Sequence, residues 1–103
     1  MRDKLLVTLM RIVELLRSCG ERTRAEWFRE RLAVLEGEHS ESERFQEVIR
    51  ELRGVLAGMG SLSDLSLNPT SASGLTRQEV RDQQWELVED LDHAIAGLLS
   101  GPT

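Results

Sequence analysis

The segment Gly58-Met59-Gly60-Ser61-Leu62-Ser63-Asp64 holds the arrangement in this chain best suited to binding chemistry through the backbone. Glycines at 58 and 60 free the chain to turn N–H groups inward, and Ser61 with Asp64 can cap a following helical turn. Such a turn is an anion-binding nest, fit for phosphate. A nucleotide P-loop is a different object, since it needs a Lys and a longer glycine spacing, and neither is present. The competing reading requires no ligand: a helix closes at Gly58, and Ser61 and Asp64 satisfy free N–H groups of the next turn.

Other candidates weaken on spacing. His39 and His93 are separated by most of the chain, and although Asp90, Asp92 and His93 are close in sequence, neighbouring helical positions point apart. A metal demands converging ligands, so a solvated face is expected and no metal or cofactor. Cys19 is the only cysteine. It excludes an intramolecular disulfide and a Cys-rich zinc site, and its place on an apolar helix face assigns it to packing rather than to nucleophilic attack. No catalytic constellation is left, so the chain is expected not to be an enzyme.

The remaining candidate is a surface. Glu86, Glu89, Asp90 and Asp92 form an acidic strip beside Trp85, which flanks the apolar face of the same helix. An acidic strip can dock a basic protein, and Trp is frequent among the residues that dominate such contacts. The plain alternative is that the acids solvate the helix and that Trp27 and Trp85 cover the edges of a core. Charge is unevenly spread: the net charge is −5, yet residues 58–103 carry only Arg77 and Arg81 against Asp64, Glu79, Asp82, Glu86, Glu89, Asp90 and Asp92. An acidic total argues against nucleic acid, whose binding rests on clustered Lys and Arg. The second half of the chain is instead suited to a basic partner.

These residues need elements to hold them. The chain has 103 residues, 40% hydrophobic and 30% charged, enough for one core built chiefly from Leu, Val, Ile and Ala. Leu5, Leu6, Leu9, Met10, Ile12, Val13, Leu16 and Cys19 fall on one half of a helical wheel over residues 3–18, with Val7 and Leu15 adding apolar surface outside it. Gly20 ends this helix with positive φ. A second helix, 24–36, opens on a Thr23–Glu26 capping box and carries Ala25, Phe28, Leu32 and Leu35, with Trp27, Arg31 and Val34 on a separate strip.

The third helix, 42–57, follows a Ser40–Glu43 box and places Phe45, Val48, Ile49, Leu52, Val55 and Leu56 on one face. Gly54 inside it predicts either close helix contact or a frayed last turn. The fourth, 77–99, opens on a Thr76–Glu79 box, and Val80, Leu87, Val88, Leu91, Ala94, Ile95, Leu98 and Leu99 line its inner face. The first two connections are short, which predicts antiparallel neighbours, whereas the Gly- and Ser-containing link 58–75 exceeds the usual length of a structureless loop. Leu62, Leu65 and Leu67 are expected to anchor that link, Asn68-Pro69 to turn it, and Thr70–Gly74 to be flexible. The expected fold is therefore all-α, one domain over 1–103, a compact antiparallel bundle of four helices.

The run Ala57-Gly-Met-Gly-Ser-Leu-Ser-Asp-Leu65 resembles that of a group of small uncharacterised bacterial helical proteins, in which the usual form is Gly-Gly-Met-Gly-Ser, an apolar residue, then Asn-Asp-Leu. Gly20-Glu21 and Trp27 are similar to a Gly-Glu and a Trp that precede the run in that group. Ala57 and Ser63 depart from its pattern. The resemblance would cover most of residues 5–99, and it carries no activity with it. In size and style the group is similar to immunity proteins that neutralise a cognate toxin, which implies a protein partner.

Together these features predict a non-enzymatic, cytoplasmic protein-binding module of immunity or regulatory type. Its contact residues are expected at Gly58, Met59, Gly60, Ser61, Asp64, Trp85, Glu86, Glu89 and Asp90. Cytoplasmic placement follows from the lone cysteine, from the absence of a cleavable leader, and from the lack of a long uncharged apolar run. The alternative is a small-ligand or phosphate-binding protein that uses the Gly58–Asp64 turn. A further possibility is a homodimer in which helices one and four complete each other's core.

Overall fold

A computed structural model describes residues 2–39, 41–56 and 65–100, the last two residues as backbone only. The chain forms four helices: α1 (Arg2–Ser18), α2 (Arg22–Gly37), α3 (Glu43–Gly54) and α4 (Arg77–Ser100), with a short 3₁₀ turn at Ser71–Ser73. No strand occurs among the described residues. α1 packs on both α2 and α4, and α3 closes the ring against the same two helices. The product is the expected all-α bundle, 45 × 23 × 21 Å.

Each boundary has a local cause. At the end of α1, Gly20 takes φ +73°, Glu21 N–H reaches Leu16 C=O at 2.9 Å and Gly20 N–H reaches Arg17 C=O at 3.1 Å. This is the Schellman ending that the glycine predicted. α4 begins on the expected capping box, in which Thr76 Oγ1 accepts from Glu79 N–H at 3.1 Å and Glu79 Oε1 accepts from Thr76 N–H at 3.2 Å.

The other two starts differ from expectation. α2 begins two residues ahead of a Thr23 cap: Arg22 is already helical, Glu21 stands at the N-cap and makes no side-chain cap bond. The Schellman turn delivers the chain directly into helical geometry, which leaves Thr23 inside the first turn. α3 is capped by Ser42, whose hydroxyl accepts from Phe45 N–H at 3.1 Å. Ser40 lies outside the described residues. α3 also stops at Gly54 instead of 57, and a Cβ at Gly54 would meet nothing within 4 Å, so the glycine ends the helix and serves no close contact.

The core is the sum of the four stripes. Leu5, Leu9, Leu16, Leu35, Phe45, Val48, Ile49, Leu52, Val80 and Leu91 are fully enclosed. On α1 the assignment shifts by one strip: Leu15 is buried, while Met10 and Val7 stand 51% and 57% exposed. Thr8 takes the inward place instead, its hydroxyl donating to Lys4 C=O at 2.7 Å so that the buried hydroxyl is paired. Among the described residues, α1 and α4 bury most of their apolar stripes against each other and against α2 and α3, Met10 excepted.

The second half of the long link is tied down. Thr70 N–H donates to Ser18 C=O at 2.9 Å, Ser73 Oγ donates to Thr70 C=O at 2.7 Å, and Leu75 N–H donates to Ser73 Oγ at 3.2 Å. Leu67 is buried, and Leu65 and Leu75 pack against the core. The small polar run Thr70–Gly74 is thus a bonded turn, where flexibility was expected, and Gly74 supplies the φ of +73° that closes it. Holding residue 70 at the end of α1 also sets the start of α4 there, so the two helices run antiparallel.

Candidate functional site

α4 has 24 residues, about 36 Å at the standard rise, and turns one face inward throughout. Its outward face carries the part of the expected site that lies among the described residues. Trp85 is 62% exposed, more than any other large apolar side chain described. It stands over a surface depression of ≈ 680 Å³ lined by Leu65, Arg81, Asp82, Gln84, Glu86 and Glu89. Gln84 positions the rim by donating from Nε2 to Leu65 C=O at 2.9 Å, which ties the link to the helix.

The four acids of the strip separate into two groups. Glu89 and Asp92 are exposed and have no ion-pair partner in the chain among the described residues. Glu86 and Asp90 face Arg11 of α1 at 3.7 and 3.9 Å. Asp90 is half-buried in the seam between the two helices, where it faces Arg11. Beside Trp85 the depression is lined by three acids, Asp82, Glu86 and Glu89, against one cation, Arg81.

Gly58, Met59, Gly60, Ser61 and Asp64, with Leu62 and Ser63, lie outside the described residues. Sequence reasoning passed over Arg81, Asp82 and Gln84 as site residues, although they stand four, three and one residues before Trp85 and the i, i+4 spacing from Arg81 to Trp85 to Glu89 was a usable signal. A second depression, ≈ 210 Å³, adjoins the first and is lined by Ser66, Asn68, Arg77, Gln78, Arg81 and Gln84. Neither Arg77 nor Arg81 has a carboxylate partner among the described residues. Two guanidinium groups with amide and hydroxyl neighbours can take a small anion.

Trp27 has the opposite environment. It is half-buried, its ring meets Phe28 edge-on with centroids 5.0 Å apart, and the Arg31 guanidinium lies 4.0 Å above it. Arg31 is held in turn by Glu51 at 3.0 Å and by Trp27 C=O at 3.2 Å. This tryptophan therefore packs at the edge of the core, under an Arg31 that is tied to α3 through Glu51.

Cys19 is partly buried and packs against the core. Burial pushes its thiol above the ordinary value, and the Glu21 carboxylate adds to the shift. No group of three or more His, Cys, Asp or Glu among the described residues could hold a metal ion. No described helix is long and apolar enough to cross a membrane. Set against known proteins, the chain matches no family model, no curated protein and no solved structure.

Proposed function

We propose that the chain is a non-enzymatic protein-binding module, of immunity or regulatory kind, that receives a basic partner protein on the outer face of α4. The observation that carries this reading is Trp85. A tryptophan 62% exposed at the centre of a depression rimmed by Asp82, Glu86 and Glu89 costs the free chain apolar hydration and contributes little to its core. Exposed aromatic anchors ringed by charge are typical of residues that dominate protein contacts. A cognate toxin is the partner suited to an immunity role.

The test is capture of a partner from the native host by the tagged chain. Trp85→Ala, and separately Glu86→Lys with Glu89→Lys, should each abolish capture, and Met59→Ala tests the adjoining Gly58–Asp64 segment. Asp90→Lys should act instead through stability, because its contact is with Arg11. Capture that survives both surface changes places the contact elsewhere and removes α4 from the proposal.

A small-anion reading has one specific support, Arg77 and Arg81 in the ≈ 210 Å³ depression, neither with a carboxylate partner among the described residues. A ligand present at 100 times its Kd would add about 2.7 kcal/mol to stability. Thermal melts with a panel of phosphate esters and nucleotides check it, and a panel without any shift removes it.

A further inference from the structure

The outer face of α4 has an internal symmetry of charge. Gln78, Arg81, Trp85, Glu89, Asp92 and Ala96 recur at spacings of three and four residues and are all exposed, so they form one stripe along the helix. Along this stripe Arg81 precedes Trp85, and Glu89 and Asp92 follow it; Arg77 stands one turn before Arg81, and Asp82 and Glu86 flank the stripe beside Trp85. This order is the reverse of what the helix dipole favours, since cations are best placed near a C-terminus and anions near an N-terminus. It does not serve ion pairing within the chain either, because Arg77, Arg81, Glu89 and Asp92 have no such partner among the described residues.

We infer that this face docks a second copy of the same chain, with the two α4 helices antiparallel about a two-fold axis at Trp85 and Arg81 of each copy against Glu89 of the other. Arg81 stands four residues before Trp85 and Glu89 four after it, so a two-fold axis at Trp85 brings them opposite each other twice. The same operation sets Gln78, seven residues before, against Asp92, seven after. Antiparallel pairing also opposes the two helix dipoles and brings each Arg-bearing end to the acidic end of its partner, which offsets the unfavourable order within one helix. The two Trp85 rings meet at the axis and remove each other from water.

A second copy would occupy the same face as the proposed heterologous partner and compete with it, and the dimensions of that face fix the strength to expect. A face about 36 Å long and about 11 Å wide covers roughly 400 Å² per copy, below the size of a standard specific interface. Association is therefore weak, with a Kd on the order of 10⁻⁴ M.

Sedimentation equilibrium of the full chain, loaded up to about 1 mM, reads it directly. The weight-average mass should climb from the 11.7 kDa of one chain toward twice that value. Arg81→Glu alone and Glu89→Arg alone should each weaken association at least about fivefold by setting like charges opposite, and the double variant should return to within about twofold of the parent. Trp85→Ala should abolish it. Arg81→Glu improves the match to the helix dipole, so the monomer should melt no lower than the parent while association falls. A chain that stays monomeric throughout the range overturns the inference, as does a double variant no better than the single ones. A monomer whose Trp85→Ala change abolishes capture of a different protein also overturns it, and leaves the face to that partner.

Discussion

Replacing each tryptophan by alanine separates the one that holds the fold from the one that faces outward. Trp27→Ala removes an edge-on contact with Phe28 at 5.0 Å and the stacking of Arg31 at 4.0 Å. Those contacts are worth about 0.5–1.5 and about 0.5–1 kcal/mol. Loss of roughly 100 Å² of buried ring adds about 2.5 kcal/mol at 25 cal/mol per Å². With relaxation of the seam between α2 and α3, the net cost should be about 3 kcal/mol. Trp85 has no ring partner among the described residues and is 62% exposed, so truncation forfeits little tertiary contact. The better helix propensity of Ala returns about 0.5 kcal/mol, which leaves a cost of at most about 1 kcal/mol. The expected difference of about 2 kcal/mol corresponds to roughly 8–16 °C in melting temperature for a domain of this size. Urea and thermal melts followed by helical circular dichroism measure it, at a protein concentration too low for self-association. Equal destabilisation by the two changes would refute the reasoning, because Trp85 would then be a packing residue and the outer face of α4 would lose its anchor.

Thr76→Ala should lower stability by about 1 kcal/mol by leaving Glu79 N–H uncapped, and Thr76→Ser should recover most of the loss in the same melts. Arg2→Ala removes donors to Leu35 C=O at 3.0 Å and Glu36 C=O at 3.1 Å at the end of α2, and should cost about 1 kcal/mol in urea denaturation. Cys19 should react with iodoacetamide at pH 8 more slowly than an unfolded cysteine, since burial and Glu21 raise its thiol. The sign for stability follows: the contribution is fully present below the unfolded thiol's value and is lost as pH rises through the higher folded value, so Cys19→Ser should flatten the alkaline limb of the stability profile.

The helices were legible because their signals are local. Apolar residues at helical spacing located all four inner faces, and the Thr76–Glu79 box and Gly20 fixed a start and a stop through bonds to their own neighbours. The errors arose where a neighbour decided. Thr23 has the right sequence for a cap, but the Schellman turn at Gly20 had already set the backbone of Arg22. Met10 and Leu15 are equivalent in hydrophobicity, and only the placement of α2 and α4 on α1 decides that Leu15 is covered and Met10 is not.

The site was less legible for a related reason. An acidic strip read from sequence is a property of one helix, whereas its charge in the folded chain depends on what the next helix presents. Arg11, 75 residues before Glu86, draws both Glu86 and Asp90 toward α1. Among the described residues Asp82, Glu89 and Asp92 have no ion pair; Glu89 and Asp92 stand beyond Trp85, and Arg77 and Arg81 stand before it. A uniformly acidic helix would select a partner by charge alone. One that changes sign across a central aromatic ring also dictates the direction in which the partner lies, whether that partner is a second copy or another protein. Exchanging Arg81 and Glu89 keeps the net charge and the tryptophan while reversing that direction. If the outer face of α4 recognises by pattern, the exchange should abolish binding of an unaltered partner protein, whereas recognition by net acidity alone would leave it unchanged.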